Sequence, residues 1–479
     1  MSAAQTAAAK SISASAVFSP LLLHTAMLDV MAASVSTPAF VAQRQQQRLE
    51  RLLEAAYESS LLYRERLGPA PLRWPPDLTR IEPVSRAELM DRFDDWVIDP
   101  VLDLDGLRAF AADPSRIGQA WCGRYMVWES SGASGLPGLF VQDARAMAVY
   151  DALEAVRHRP PPREPASLLG MFSLLDVLGL GDRTALVTAT GGHFASAVEF
   201  ERLRRINPWL APLSRNFSLL SPIHELVAQL NDFQPTLVAT YPTAAALLAD
   251  EAEAGRLRIT PRYVLTGGEH LSAAVRARVR AALGAPVRGS YGASEFLPIA
   301  WECSHGYLHV NADWALLEPV DSSYRPVPPG HASHTVLLTN LANFVQPLIR
   351  YDLGDKVTLP PGQCRCGSPM PRIDVQGRRD DVLRVPARKS GETVSLLPLA
   401  LSTLVEAEGV FDFQLQQREP GTLVLRLPLQ GEDARQAIER CRQALQQFAL
   451  TQGAQPIRVL GEAGCAVPRG RSGKACRVV

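Results

Sequence analysis

The stretch Ser130-Ser131-Gly132-Ala133-Ser134-Gly135-Leu136-Pro137, inside RYMVWESSGASGLPGLFVQD (124–143), decides how the chain is read. An apolar run from Tyr125 to Trp128 leads into a turn rich in hydroxyls and glycine, and a second run from Leu139 to Val141 leads out. The pattern predicts strand, loop, strand. Glycines let the backbone come close to a ligand, while successive N–H groups and hydroxyls offer donors to phosphate oxygens. Serine-glycine turns are also ordinary hairpin chemistry, so the phosphate reading depends on what the rest of the chain carries.

From about residue 145 onward, helical stretches alternate with the short apolar runs SLLGMF, TALVTAT, TLVATY, RYVLTGG and VRGSYG. That alternation predicts an α/β fold with strands buried on both faces. Open α/β sheets bind ligands beyond their strand ends, and five such ends carry small, polar and aromatic residues. They are TATGGHFAS (188–196), ATYPTAA (239–245), LTGGEHLS (265–272), GSYGASEF (289–296) and PLIRYDLGDKV (347–357). Earlier in the chain, leucines at helical spacing predict a helix from Phe40 to Leu67, and Ser85-Arg86-Ala87-Glu88 reads as a capping box.

At 479 residues the chain is too long for a single core. Lys+Arg and Asp+Glu both number 49, so no global field draws nucleic acid or anionic lipid to it, and no nucleic-acid partner is expected. No apolar run reaches the length of a membrane-spanning helix, so membrane insertion is not expected. Seven cysteines in a chain this long suit reduced thiols and a cytoplasmic location. Pro20, His24 and Asp29 interrupt the apolar centre that a secretory signal would need, and the first 40 residues read as a mostly flexible leader followed by a helix.

SSGASGLP resembles the phosphate loop of the adenylate-forming superfamily, GSYGASE its aromatic-glycine-x-Thr/Ser-Glu motif, and RYDLGD its Tyr-Arg-Thr-Gly-Asp motif. GRRDD (377–381) is similar to the hinge motif and PRGRSGKACRVV (468–479) to the C-terminal lysine motif, and all five stand in family order. LEAAYESSLLYRERL, PVSRAELMDRF and a cysteine cluster resemble the phenylacetate–CoA ligase branch. There is also a resemblance to the hydroxybenzoate–carrier-protein ligases of aryl-polyene (xanthomonadin-type) pigment pathways.

The resemblance implies a large N-terminal adenylation domain of mixed β-sheets and helices over 41–378 and a small mobile α+β lid over 379–479. It implies ATP contacts from Ser130, Ser131, Gly132, Ser134 and Gly135 in the loop, from Gly267, Gly268 and Glu269, and from Ser290, Tyr291 and Gly292. Tyr291 is the expected adenine platform, Asp355 the ribose acceptor and Arg378 a forked donor. Ser294 and Glu295 suit a phosphate oxygen and Mg²⁺, a hard cation that takes oxygen ligands. Asp380 is the expected hinge. By the resemblance, Lys474 is expected to be the catalytic cation that stabilises charge on the reacting phosphate. One departure from the family is Leu136, which stands where a lysine usually precedes the proline.

WECSHGYLHVNAD (301–313) and GQCRCGSPMP (362–371) bring a Cys-x-Cys pair together with a distant cysteine and histidines. Cys303, His309, Cys364 and Cys366, with His305 as substitute, make a closed set for a structural Zn²⁺. His193, Phe194 and Tyr241 are expected to wall the acyl pocket, with His193 as a polar handle. The activity implied is ATP-dependent activation of an aromatic carboxylic acid and its transfer to a thiol of coenzyme A or a phosphopantetheinylated acyl carrier protein, in a chain that also forms a homodimer. Adenylylation of a phenolic coenzyme without thiolation, and a non-catalytic nucleotide-binding protein, are the alternatives.

Overall fold

The computed structural model describes residues 17–68, 77–130, 137–158, 182–188, 190, 192–219, 221–378, 383–388, 393–396, 401, 404–405, 407–468 and 477–479. Its helices include α1 (Pro20–Ser34), α2 (Pro38–Ser59), α3 (Ala144–Arg157), α4 (Ala195–Ile206), α5 (Pro242–Glu253), α6 (Ala273–Leu283) and α7 (Gly431–Thr451). Among the described residues, no helix is long and apolar enough to cross a membrane.

The central sheet has nine strands. On one side β4 (Ser214–Ser218), β3 (Thr184–Thr188), β5 (Leu237–Thr240), β6 (Tyr263–Thr266) and β7 (Val287–Ala293) run parallel, in that spatial order. Beyond β7 the sheet turns antiparallel through β8 (Phe296–Glu302), β9 (Leu308–Val310), β14 (Arg372–Arg378) and β13 (Asp355–Thr358). Strands β3, β5 and β6 coincide with the apolar runs TALVTAT, TLVATY and RYVLTGG, while SLLGMF lies outside the described residues. Because parallel neighbours need a crossover, helices α5 and α6 return the chain each time, and the C-terminal ends of β3, β5, β6 and β7 fall side by side.

The stretch around Ser130 forms the antiparallel hairpin of β1 (Met126–Glu129) and β2 (Leu139–Gln142). An isolated two-stranded ribbon leaves backbone groups unpaired, and here amide side chains take them up. Asn343 donates to Val141 O at 2.8 Å, Gln346 donates to Leu139 O at 3.1 Å, and Gln346 Oε1 accepts from Val141 N at 2.8 Å. Both amides come from the turn between β11 (Thr335–Asn340) and β12 (Leu348–Asp352), which form a three-stranded sheet with β10 (Ala315–Val320).

Residues 20–34, within the segment read above as a mostly flexible leader followed by a helix, form α1. Its Ala26, Val30 and Ala33 are buried, and Asp29 pairs with Arg44 and Arg48 of α2. The interrupting aspartate is thus compensated by cations a helix away. The single helix expected over Phe40–Leu67 breaks at the buried Ser60, whose hydroxyl caps a second helix, Leu61–Leu67, through Tyr63 N at 3.4 Å. The capping box holds, with Glu88 N donating to Ser85 Oγ at 3.3 Å.

The C-terminal part has its own core. A hairpin of two strands, Gln414–Glu419 and Thr422–Leu427, is followed by α7, which crosses to the strand Arg458–Ala463, parallel to the second of the two. Leu423, Leu425, Cys441, Leu445 and Val459 pack between sheet and helix.

Candidate active site

Tyr291, on β7, donates from its hydroxyl to Asp355 Oδ2 at 2.7 Å. The residues expected at adenine and at ribose therefore meet at one corner, where the last parallel strand faces the start of β13. Arg378 is the register partner of Asp355 on β14, so its backbone lies beside that of Asp355.

Backbone geometry at this corner tolerates little change. A Cβ on Gly292 would lie 1.9 Å from Leu297 O, so only glycine fits between β7 and the returning β8. Gly267 is tight as well: a Cβ there would lie only 2.7 Å from Ser290 Oγ, and that hydroxyl donates to Thr266 O at 3.2 Å. Gly268 has φ +76°, which places LTGGE in a left-handed turn. Glu269, expected to border adenine through its backbone, uses its carboxylate elsewhere. It accepts from Thr243 N and from Thr243 Oγ1, both at 3.1 Å, and so caps α5 and ties the end of β6 to the end of β5.

Ser294 and Glu295 form the turn from β7 to β8. Two side chains that sequence reasoning missed hold its backbone: Trp128 Nε1 donates to Ser294 O at 2.7 Å, and Asn340 Nδ2 donates to Glu295 O at 3.0 Å. Trp128 belongs to the hairpin strand entering the Ser130 loop, so the two candidate phosphate elements are tied directly. Ser130 is itself buried, and its hydroxyl accepts from Gly138 N at 2.8 Å across the neck of that loop. Ser131, Gly132, Ser134, Gly135, Asp380 and Lys474 lie outside the described residues.

In RYDLGD the two aspartates divide their work. Asp352 accepts from Gly354 N at 2.9 Å and from the hydroxyls of Thr335 and Tyr324, which organises the turn, while Asp355 meets Tyr291. Arg350 has φ +52°, a left-handed backbone that non-glycine residues rarely adopt. It is held there by Glu318, 3.2 Å from its Nε, by Ile81 O, and by Thr339 Oγ1 accepting from its amide at 3.0 Å.

Of the expected acyl walls, two stay near one another and one turns inward. Tyr241 is buried at the end of β5, with burial and the nearby Glu269 raising its hydroxyl pKa while Ser196 on α4 opposes them by hydrogen bonding. Phe194 pairs its backbone with Glu129 of β1. His193 corrects the expectation of an accessible polar handle: its ring is fully buried and lies 5.4 Å from that of Phe110. Burial lowers its pKa, so the imidazole is neutral, and its contribution to the site is its carbonyl, which accepts from Glu129 N at 2.7 Å.

Cys303, His309, Cys364 and Cys366 converge, with their ligand atoms all within 4.8 Å of one another. Cys303 Sγ and Cys364 Sγ are 3.9 Å apart, and Cys366 Sγ is 3.4 Å from His309 Nε2. Those spacings match the edges of a tetrahedron with metal–sulfur bonds of about 2.3 Å and metal–nitrogen bonds of about 2.0 Å. His309 Nδ1 lies 2.9 Å from Met370 O, the outer partner that would leave Nε2 free as ligand. Burial pushes the Cys366 thiol up to about 11, so without a cation it is protonated. His305 is corrected out of the set, since it is exposed and pairs with Ser304 Oγ at 3.2 Å.

This architecture is the mixed α/β fold of the adenylate-forming enzymes. The AMP-binding enzyme family model matches residues 213–331, which contain Tyr291, Ser294 and Glu295. Among solved structures, the chain is similar to 2-hydroxyisobutyryl-CoA ligase in the postadenylation state in complex with R3-HIB-AMP, at TM-score 0.69 and 19% identity, over 93% of this chain and 91% of that one. It is similar also to an open conformation of that ligase in complex with 2-HIB-AMP and CoA, at TM-score 0.57 and 20% identity, over 93% of both chains. No curated protein matches the chain.

Proposed function

We propose that the chain is an ATP- and Mg²⁺-dependent acid–thiol ligase acting on an aromatic carboxylic acid. The observation that carries this reading is the Tyr291–Asp355 hydrogen bond of 2.7 Å, which joins two separately predicted nucleotide motifs beside the Ser294–Glu295 turn. In the first half-reaction a carboxylate oxygen of the acid attacks the α-phosphorus of ATP, and pyrophosphate leaves. In the second, a thiol sulfur attacks the acyl carbon, AMP leaves, and the thiol proton is lost to solvent.

Within this reading Tyr291 flanks adenine, and Asp355 accepts from the ribose hydroxyls. Ser130, Ser131, Gly132, Ser134 and Gly135 cradle the leaving phosphates. Glu295 would hold Mg²⁺, which supplies charge neutralisation at the phosphate oxygens. Lys474 brings a cation to the pentavalent phosphorus, and the hinge at Asp380 lets the lid exclude water and later admit the thiol. Tyr241 and Phe194 wall the acyl group. We propose further that Cys303, His309, Cys364 and Cys366 hold a structural Zn²⁺, because no donor position is left for water in a closed set of four. Coenzyme A and a carrier-protein phosphopantetheine are both thiol acceptors that the basic lid residues, Arg384 and Arg458 among them, would suit.

Pyrophosphate release measured over a panel of aromatic and short-chain acids tests the reading. Release that depends on an aromatic acid, followed by AMP release on adding coenzyme A or carrier protein, is expected. Pyrophosphate release with a phenol and no thiol-dependent step would replace the ligase reading by phenol adenylylation, and no acid-dependent release would reduce the protein to a nucleotide binder.

A further inference from the structure

Away from the strand ends, α1, α2 and α3 border a half-open cavity of about 230 Å³ that shares no lining residue with the Tyr291–Asp355 corner. Arg44, Arg48, Arg51 and Arg145 line it, with Asp29 and Trp314. Arg44, Arg48 and Arg51 follow a spacing of four and three on α2, which puts three guanidinium groups on one helix face where like charges repel. Asp29 pairs with Arg44 and Arg48, and Arg48 also donates to Asp313 O and lies 3.5 Å over the Trp314 ring. That accounts for two arginines.

Arg51 and Arg145 remain. Both are exposed at the mouth of the cavity; Arg145 lies 4.1 Å over the Phe344 ring, and Asp29, the one carboxylate among the lining residues, pairs with Arg44 and Arg48 instead. Four arginines against one aspartate leave the lining with an excess of three positive charges. Burial and the neighbouring Arg51 lower the Arg145 pKa, against Asp143, and burial with Arg44 lowers that of Arg48, against Asp29 and Asp313. Two donors of lining residues, Arg44 Nε and Trp314 Nε1, are shielded from solvent with no acceptor among the described residues. Arg145 also stands in the first turn of α3, where the helix dipole adds positive potential. Clustered like charges repel one another until an anion joins them, and guanidinium forks match phosphate oxygens.

We propose that this cavity binds a phosphate-bearing small molecule at a site separate from the ATP cleft. Arg51 and Arg145 clamp the phosphoryl oxygens, and the apolar faces of α1 and α3 border the remainder of the ligand. Strand β2 joins the Ser130 loop to Arg145, so occupancy here would be felt about 13 Å from that loop, the reach of a four-residue strand.

The test is thermal melting and calorimetric titration of the full chain with inorganic phosphate and, separately, butyl phosphate, at constant ionic strength. Wild type is expected to show saturable stabilisation that chloride does not reproduce. Arg51→Gln and Arg145→Gln should each weaken binding roughly tenfold or more, the worth of a charge-assisted hydrogen bond. Without ligand the variants should melt at or above the wild-type temperature, because a like-charge contact has been removed; a purely structural role would lower it. Tighter binding of butyl phosphate than of inorganic phosphate would identify an organic phosphate as ligand, and equal binding would identify free phosphate. The proposal is overturned if neither anion gives a saturable effect, if chloride matches it, or if the variants respond as wild type does.

Discussion

Strand β8 begins at the Ser294–Glu295 turn and ends one residue before Cys303, so its two ends belong to two different kinds of site. The same is true of the β13–β14 pair: Asp355 and Arg378 are backbone register partners at one end, and the connection at the other carries Cys364 and Cys366. At the cysteine end the donors turn toward one another and are mostly buried. At the tyrosine end Ser290, Tyr291 and Ser294 are only half-buried, and glycine takes the positions where a side chain would fill space. A closed donor set stabilises a fold, whereas an open rim leaves room for a ligand. If the four donors hold a metal, the contrast also implies a coupling, because that centre would tie β8 to the β13–β14 connection and so steady Asp355 against Tyr291 on the neighbouring strand β7.

Breaking the closed end is expected to have the largest effect. Stoichiometric zinc is expected by elemental analysis of gently purified protein, and its absence would remove the zinc reading. Removal of the metal by a strong chelator, or Cys364→Ala, should destabilise the protein by several kcal/mol. The loss should fall short of the about 10–16 kcal/mol that zinc supplies to isolated finger peptides, because the sheet pairing survives. The same treatment should raise the KM for ATP by letting β13 shift against β8. A metal-free protein with normal melting and normal ATP dependence would show that the two ends are uncoupled.

The open end is expected to depend on a residue from the lid. Lys474→Ala should lower the adenylation rate by on the order of 10²-fold or more, the cost of losing one preorganised donor to a charged transition state. Acid-dependent pyrophosphate exchange measures this step alone. A variant within a few-fold of wild type would leave the open rim without its cation and break the comparison on its catalytic side.

What the sequence makes legible follows from how local each signal is. Strand ends with glycine and aromatics are short contiguous patterns, and β1, β2, β3, β5 and β6 fall where the apolar runs put them. Cysteine and histidine have few other reasons to cluster, so the convergence of the four side chains is readable although 61 residues separate Cys303 from Cys364. Long-range compensation leaves no local trace. Asp29 reads as an interruption of an apolar segment until Arg44 and Arg48 are seen to pair with it. Asn340, Asn343 and Gln346 follow no helical or strand period, yet they hold the Ser294–Glu295 turn and the β2 backbone. The burial of His193 depends on Phe110, which arrives from a separate helix, Leu104–Ala111.

The smallest expected effect is the most specific to the corner itself. Tyr291→Phe keeps the ring that would border adenine and removes only the hydroxyl that donates to Asp355 at 2.7 Å. A hydrogen bond to a charged acceptor at a half-exposed site contributes about 1–2 kcal/mol, so the KM for ATP should rise roughly five- to thirtyfold, with kcat little changed. Tyr291→Ala removes the ring as well and should raise KM further. If the phenylalanine variant matched wild type while the alanine variant did not, the ring alone would matter, and Asp355 would be positioned by its strand rather than by Tyr291. If both variants matched wild type, adenine would not lie at this corner and the open end of β7 would need another ligand.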